Sequence, residues 1–188
     1  MPQQELLTTL LGALNALEIP YMLTGSVVSS MQGEPRASHD IDVIVEMQEP
    51  DVGRIQSVFP PPGYYLDPDD ARESIRRATM FNLVDAGDGG KVDFWMLSTE
   101  PFDASRFARR GREMVLGVPA FVSSPEDTIL AKLRWARLCG GSEKQFGDAL
   151  RVFEVQRPRL DIPYLDGWVQ ALDLTELWRR LLSEAEEA

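Results

Sequence analysis

Residues Tyr21 to Glu46, YMLTGSVVSSMQGEPRASHDIDVIVE, carry the pattern from which the fold is predicted. It predicts a short apolar strand, a turn at Gly25, a short helix, a loop, and a second strand that carries Asp40 and Asp42. Because strand side chains alternate with period two, the two aspartates share one face of this strand. The apolar residues between and after them share the other face. The second strand therefore offers two carboxylates on one side and a surface for a hydrophobic core on the other.

The two aspartates indicate a binding site for a metal ion, and the upstream turn indicates a binding site for a phosphate group. Carboxylates that converge from one strand repel each other unless a cation lies between them. Hard oxygen ligands suit Mg²⁺, which is usually held by one or two carboxylates plus substrate phosphates. Gly25 allows the backbone to approach a ligand closely, and the N–H groups from Ser26 onward open a helix, where anions bind.

A third carboxylate lies on another predicted strand. The run from Lys91 to Leu97 is apolar apart from its start, and Asp93 is its one acid. A glycine-rich turn joins it to the apolar run from Thr79 to Asp85, which predicts a hairpin. Asp93 can therefore lie on a strand that pairs beside the one carrying Asp40 and Asp42.

The ordered set of these motifs resembles the DNA polymerase β-type nucleotidyltransferase superfamily. The matching positions are Gly25, Ser26, Asp40, Asp42 and Asp93. The run from Arg36 to Asp42, RASHDID, also resembles the Arg-x-Thr/Ser-x-Asp-x-Asp form of small bacterial members, the minimal or abortive-infection toxin-like enzymes. The motifs span residues 20–97, and each is common alone, whereas the ordered set is specific.

The resemblance implies a metal-dependent enzyme that moves an NMP from an NTP to a hydroxyl acceptor and releases pyrophosphate. The implied catalytic and metal-binding residues are Asp40, Asp42 and Asp93. Two Mg²⁺ ions are expected there, with Mn²⁺ as the alternative metal. The residues that the resemblance assigns to the nucleotide are Gly25, Ser26, Arg36, Lys132 and Asp148.

Two of the nucleotide-binding assignments have plainer alternatives. Lys132 lies on a predicted helix that follows the sheet, where the resembling family often places a lysine against the triphosphate. It could equally be a surface lysine whose stem lies along the buried face. Asp148 matches an acid that helps to order the site in toxin-type members, but a helical ion pair with Lys144, four residues earlier, explains it as well.

The acceptor and the partner stay open at this stage. The resemblance allows tRNA, a protein side chain or a small molecule such as an aminoglycoside, and a toxin–antitoxin context with a cognate protein. The net charge of −11 argues against a general nucleic-acid coat protein, yet residues 101–151 hold nine basic and six acidic side chains. The alternative function is a non-catalytic, antitoxin-like partner that binds a nucleotide or a protein on the same fold.

Composition excludes several other classes of function. Cys139 is the only cysteine, so an intrachain disulfide or a multi-cysteine zinc site cannot form, and we expect its thiol to be buried or half-buried in a helix. The only histidine, His39, would point away from both neighbouring aspartates, which argues against a Ser-His-Asp hydrolase. No eighteen-residue apolar window and no signal peptide are recognised, so we expect a cytoplasmic protein without a membrane span.

The predicted fold class is α+β, with a small mixed β-sheet nucleotidyltransferase core, flanking helices and a C-terminal helical bundle. The serine, proline and acids at 123–127 predict a strong helix start after the last strand. We therefore predict a nucleotidyltransferase catalytic domain over 1–122 and a C-terminal helical domain over 123–188.

Overall fold

The computed structural model describes residues 2–36, 38 and 40–185, so His39 lies outside the described residues. Within this part of the chain, seven strands form one sheet. In chain order they are β1 (Tyr21–Thr24), β2 (Asp40–Val45), β3 (Tyr64–Tyr65), β4 (Met80–Asp85), β5 (Lys91–Met96), β6 (Gly111–Val115) and β7 (Val118–Val122). Their order across the sheet is β3-β4-β5-β2-β1-β7-β6. The β2–β5 and β1–β7 pairs are parallel and the other four pairs are antiparallel, so the sheet is mixed.

Helices make up most of the remaining described chain. They are α1 (Pro2–Ala16), α2 (Gly25–Gln32), α3 (Glu49–Val58), α4 (Pro68–Arg77), α5 (Pro101–Ala108), α6 (Pro125–Leu138), α7 (Glu143–Gln156), α8 (Ile162–Ala171) and α9 (Thr175–Glu184). A 3-10 turn at Arg157–Arg159 follows α7. No helix in the described ranges combines the length and the apolar character needed to cross a bilayer.

The chain divides into two compact units. The sheet unit contains residues 1–24 and 38–122, and the helical unit contains residues 25–37 and 123–188. One division thus falls between Val122 and Ser123, where the sequence predicts a domain boundary. The segment 25–37, which includes α2, groups with the C-terminal helices.

The sheet unit has its core on the apolar face of the central strands. Ile41, Val43 and Val45 of β2 are fully buried, as the period-two pattern predicts. Phe94 of β5 stacks on Phe81 of β4, with ring centroids 4.9 Å apart. Helix α1 contacts β7 and buries a stripe of leucines at helical spacing, namely Leu6, Leu7, Leu10, Leu11 and Leu14.

The helical unit is built on α6 and α7, which pack together and both contact α2. Ser124 caps α6, because its side chain accepts a hydrogen bond from the Asp127 N–H. Gly33 lets the chain after α2 pass close to α7, since a Cβ atom there would lie 2.9 Å from the Val152 nitrogen. Cys139, at the C-terminal end of α6, is exposed, so the expectation of a buried or half-buried thiol is wrong.

Candidate active site

Asp42 and Asp93 lie directly opposite each other on neighbouring strands. The parallel β2–β5 register sets Asp42 against Asp93 and Asp40 against Lys91. Side chains at such paired positions project from the same face of a sheet. Burial increases across the group, because the side chain of Asp40 is 55% exposed and that of Asp93 only 10%. We call Asp40, Asp42, Asp93 and Lys91 the aspartate cluster.

Lys91 supplies a positive charge within the aspartate cluster. Its Nζ atom lies 3.1 Å from Asp93 Oδ2 and 3.9 Å from Asp40 Oδ1. Partial burial lowers the pKa of Lys91, but the hydrogen bond to Asp93 and the charges of the three aspartates outweigh it, so this pKa stands above its ordinary value. The lysine is therefore an ammonium ion at neutral pH.

On the same face of the sheet, Trp95 connects Asp42 to a group of buried apolar residues. Trp95, two positions after Asp93, donates its indole Nε1–H to Asp42 Oδ1 over 3.4 Å. Trp95 itself packs against a buried cluster of Met22, Ile44 and Phe107. The indole therefore links the position of the Asp42 carboxylate to the hydrophobic core.

Asp148 is the centre of a second charged group, in the helical unit. Arg36 binds both oxygens of its carboxylate, with Nε 2.8 Å from Oδ1 and Nη2 2.7 Å from Oδ2. Lys132 Nζ lies 2.7 Å from the same Oδ2, and the lysine side chain is only 5% exposed. Arg36 Nη2 also donates to Ser26 Oγ over 2.8 Å. We call Ser26, Arg36, Lys132 and Asp148 the Asp148 cluster.

The contacts of Asp148 fix its charge state. Burial raises the pKa of its carboxyl, but the hydrogen bonds and charges of Arg36 and Lys132 lower it by more. The pKa of Asp148 therefore lies below its ordinary value. The hydrogen bond to Asp148 likewise raises the pKa of Arg36. Among the described residues no ion pair joins Asp148 to Lys144, so the helical pair that could explain this acid is not formed.

A cavity of about 290 Å³ borders the Asp148 cluster within the helical unit. Its lining includes Ser29, Arg36, Lys144, Gly147, Asp148 and Arg151. Gly25, the remaining residue assigned to the nucleotide, begins α2 with φ +68°, in the left-handed region that glycine adopts readily. This conformation turns the chain from β1 directly into α2 and leaves the first N–H groups of the helix at that turn.

Comparisons with known proteins agree on the architecture. No protein-family model matches the sequence, and the search of curated proteins gave no significant match. Solved structures do match. A nucleotidyltransferase-like protein from Paracoccidioides brasiliensis has a TM-score of 0.57 and 15% identity, over 100% of this chain and 94% of that one. This chain has a nucleotidyltransferase-like fold.

Two structures of the antibiotic-resistance factor ANT(2'')-Ia share this nucleotidyltransferase-like fold. The solution structure has a TM-score of 0.56 and 13% identity, covering 97% of this chain and 95% of that chain. A crystal structure in complex with adenylyl-2''-tobramycin has the same TM-score and identity, covering 96% and 99%. With the mixed sheet and the C-terminal helices, these matches confirm the predicted fold class.

The aspartate cluster of this nucleotidyltransferase-like fold fits a divalent cation at two of its acids. Asp93 Oδ1 is buried and has no hydrogen-bond partner in the described part of the chain, and Asp42 lies opposite it. Two carboxylates plus substrate phosphates are a usual Mg²⁺ ligand set. Within the described ranges, no group of three or more acidic, histidine or cysteine side chains is arranged as a metal site. Asp40, whose side chain is 55% exposed, is more open to solvent than Asp93.

Sequence reasoning missed Lys91 and Trp95 as neighbours of the aspartates. The signal was present, because Lys91, Asp93 and Trp95 are spaced two apart on β5 and so share one face of the sheet. The prediction for this strand considered its acid and its apolar residues alone. The roles of the predicted site residues, and of the two predicted domains, stay predictions.

Proposed function

We propose that this protein is a nucleotidyltransferase that moves an NMP from an NTP to a hydroxyl acceptor. The observation that carries the proposal is the pairing of Asp42 with Asp93 on adjacent parallel strands, where Asp93 keeps a buried carboxylate oxygen without a hydrogen-bond partner in the described chain. An unsatisfied buried carboxylate oxygen costs stability unless a ligand or a proton meets it. Because the fold is nucleotidyltransferase-like, we infer that this ligand is a divalent cation that also binds the triphosphate of the substrate.

The residues have separate roles in this proposal. Asp42 and Asp93 would hold Mg²⁺, or Mn²⁺ in its place, with Asp40 contributing to a second ion. A divalent metal held there supplies charge neutralisation for the phosphoryl group in an in-line displacement. In the alternative assignment, Asp40 and Asp42 would hold the metal and Asp93 would accept the proton of the acceptor hydroxyl. Trp95 orients the Asp42 carboxylate through its indole N–H.

The Asp148 cluster is proposed to bind the nucleotide. Arg36 and Lys132 bring two positive side chains to one carboxylate, and guanidinium and ammonium groups are the usual partners of phosphate oxygens. Asp148 would act as a positioning residue, because it holds both cations in place before a ligand arrives. Gly25 and Ser26 would add backbone N–H groups from the start of α2.

The acceptor is proposed from charge and comparison. ANT(2'')-Ia is described with an adenylylated aminoglycoside, adenylyl-2''-tobramycin, and the net charge of −11 on this chain suits a cationic small molecule or a protein. The excess of basic residues over 101–151 favours tRNA as the competing acceptor. A bacterial toxin–antitoxin setting with a cognate protein would fit a protein or tRNA acceptor.

One observation favours the non-catalytic alternative, an antitoxin-like module that binds a nucleotide or a protein. In the described residues no three-ligand metal group is formed, as would hold for a fold that kept a binding surface without chemistry. Thermal stabilisation by each NTP with Mg²⁺ would show nucleotide binding, and only transfer of label would then separate the enzyme from the binder.

The decisive experiment incubates the protein with each α-labelled NTP, Mg²⁺ and one acceptor pool at a time: total tRNA, cell lysate or aminoglycosides. We expect wild type to label one pool and the double variant Asp40→Ala plus Asp42→Ala to label none while it keeps its fold. The matched control is Asp69→Ala plus Asp70→Ala, exposed acids at the start of α4. Wild-type labelling by the Asp40–Asp42 double variant would refute the assignment.

A further inference from the structure

Lys91 occupies a position on the sheet that places its charge among the aspartates. It faces Asp40 across the β2–β5 pair and precedes Asp93 by two residues on the same strand, so all three share a face. Its ammonium lies 3.1 Å from Asp93 Oδ2 and 3.9 Å from Asp40 Oδ1. The lysine side chain is 32% exposed, so its stem is largely covered and its charge is held near these two acids.

The two oxygens of Asp93 have different surroundings. Oδ2 has the Lys91 ammonium as its partner, whereas Oδ1 is buried and has no hydrogen-bond partner in the described chain. One side of the carboxylate is therefore neutralised by the protein itself, and the other is left for a ligand. A cation that approaches Oδ1 would feel the repulsion of Lys91 at close range.

We propose that Lys91 is a built-in counter-cation of the aspartate cluster that sets its affinity for divalent metal. In the metal-free protein its ammonium offsets the repulsion of the clustered carboxylates. When a divalent ion binds at Asp93, the same charge opposes it and weakens its binding. The inference rests on the proposed function, because it concerns the metal site of that reaction, and Lys91 acts in it as a positioning residue rather than a catalytic residue.

The test measures binding of Mn²⁺ alone to the full chain, by electron paramagnetic resonance of the free ion. Lys91→Met removes the charge and keeps an unbranched side chain, and Lys144→Met, on an exposed residue of the helical unit, makes the same change in net charge. We expect Lys91→Met to bind Mn²⁺ about tenfold more tightly than wild type. Lys91→Arg and Lys144→Met should bind it with nearly wild-type affinity.

A second measurement is the melting temperature in EDTA. Lys91→Met should melt below wild type and below Lys144→Met, because the aspartates then lack their counter-charge, and added Mn²⁺ should reverse the order relative to wild type. Should Lys91→Met fold poorly, Lys91→Gln also removes the charge but can still donate a hydrogen bond to Asp93. The same tightening is expected of it.

Two kinds of result would overturn the inference, and the first is distinct from a failure of the proposed function, whereas the second removes the proposed metal site as well. Equal or weaker Mn²⁺ binding by Lys91→Met, or a tightening no larger than that of Lys144→Met, would leave the metal site in place and refute the role of Lys91. Mn²⁺ binding that is absent in wild type and in Lys91→Met, or that survives Asp93→Asn unchanged, would refute the metal site itself and the inference with it.

Discussion

The charged cluster of the sheet unit has more acidic than basic side chains, and the charged cluster of the helical unit has more basic than acidic ones. In the aspartate cluster three carboxylates share one lysine, Lys91. In the Asp148 cluster one carboxylate is shared by an arginine and a lysine. By formal charge the first group suits an added cation and the second an added anion. In the Asp148 cluster, both oxygens of the carboxylate have close cationic partners from the protein itself.

Removal of a carboxylate from the aspartate cluster should have the largest effect. Asp93→Asn keeps the shape of the side chain but loses the charge and one acceptor oxygen. We expect kcat/KM for label transfer to fall by at least about a thousandfold. When catalytic groups act as a unit, the loss of one removes most of their joint contribution to the rate. Asp88→Asn, in the exposed turn between β4 and β5, is the matched control and should transfer at the wild-type rate. Retention of transfer by Asp93→Asn would mean that the sheet cluster is not the reaction centre.

Removal of the carboxylate from the Asp148 cluster should mainly affect folding. Asp148→Ala leaves Lys132, which is 5% exposed, without this counter-charge. Loss of one partner of a buried pair typically costs about 3–5 kcal/mol, and urea unfolding monitored by tryptophan fluorescence measures it. Glu184→Ala breaks a surface pair with Arg180 in the same unit and should leave the free energy of unfolding close to wild type. Equal effects of the two substitutions would show that the Asp148 cluster is not a stabilising element.

The pH dependence of stability tests the same contrast more finely. The pKa of Asp148 is lower in the folded protein than its ordinary value, so its stabilising contribution is complete above the unfolded pKa of about 4. That contribution is lost as the pH falls through the folded pKa. The difference in unfolding free energy between wild type and Asp148→Asn should be constant from about pH 5 to 7 and shrink below about pH 4. A difference that stays constant into the acid range would contradict the assignment.

The smallest expected effect separates charge from geometry in the Asp148 cluster. Arg36→Lys keeps the charge but loses the two-pronged contact with Asp148 and the contact with Ser26. We expect a loss of about 1 kcal/mol in stability, together with weaker NTP binding by calorimetry. Arg112→Lys, on the exposed edge strand β6, is the control and should change neither quantity.

Much of the fold could be predicted from local patterns. Alternation along β2 identifies Asp40 and Asp42 as sharing a face, and the leucine spacing of α1 identifies its buried stripe, because both depend only on backbone periodicity. The strand register is different. A slip of two residues between β2 and β5 would keep every side chain on its face but place a residue other than Asp93 opposite Asp42, and nothing in either strand alone excludes that slip.

The partner of Asp148 illustrates the limit of local rules. Helix spacing favours Lys144, which is four residues away, but the structure supplies Arg36 from the loop after α2 and Lys132 from α6. The grouping of residues 25–37 with the helical unit has the same origin. It depends on the close passage of Gly33 beside α7, a packing contact between segments more than a hundred residues apart.

Local sequence patterns are enough to identify three features of this protein: the alternating acids of β2, the glycine that follows β1 and the capped start of α6. These follow from short-range backbone geometry, which a single segment carries in full. Only the tertiary structure decided which charges meet, since register and helix packing are set by burial of apolar surface over the whole chain. The contacts of Lys91 with Asp93 and of Lys132 with Asp148 are two examples.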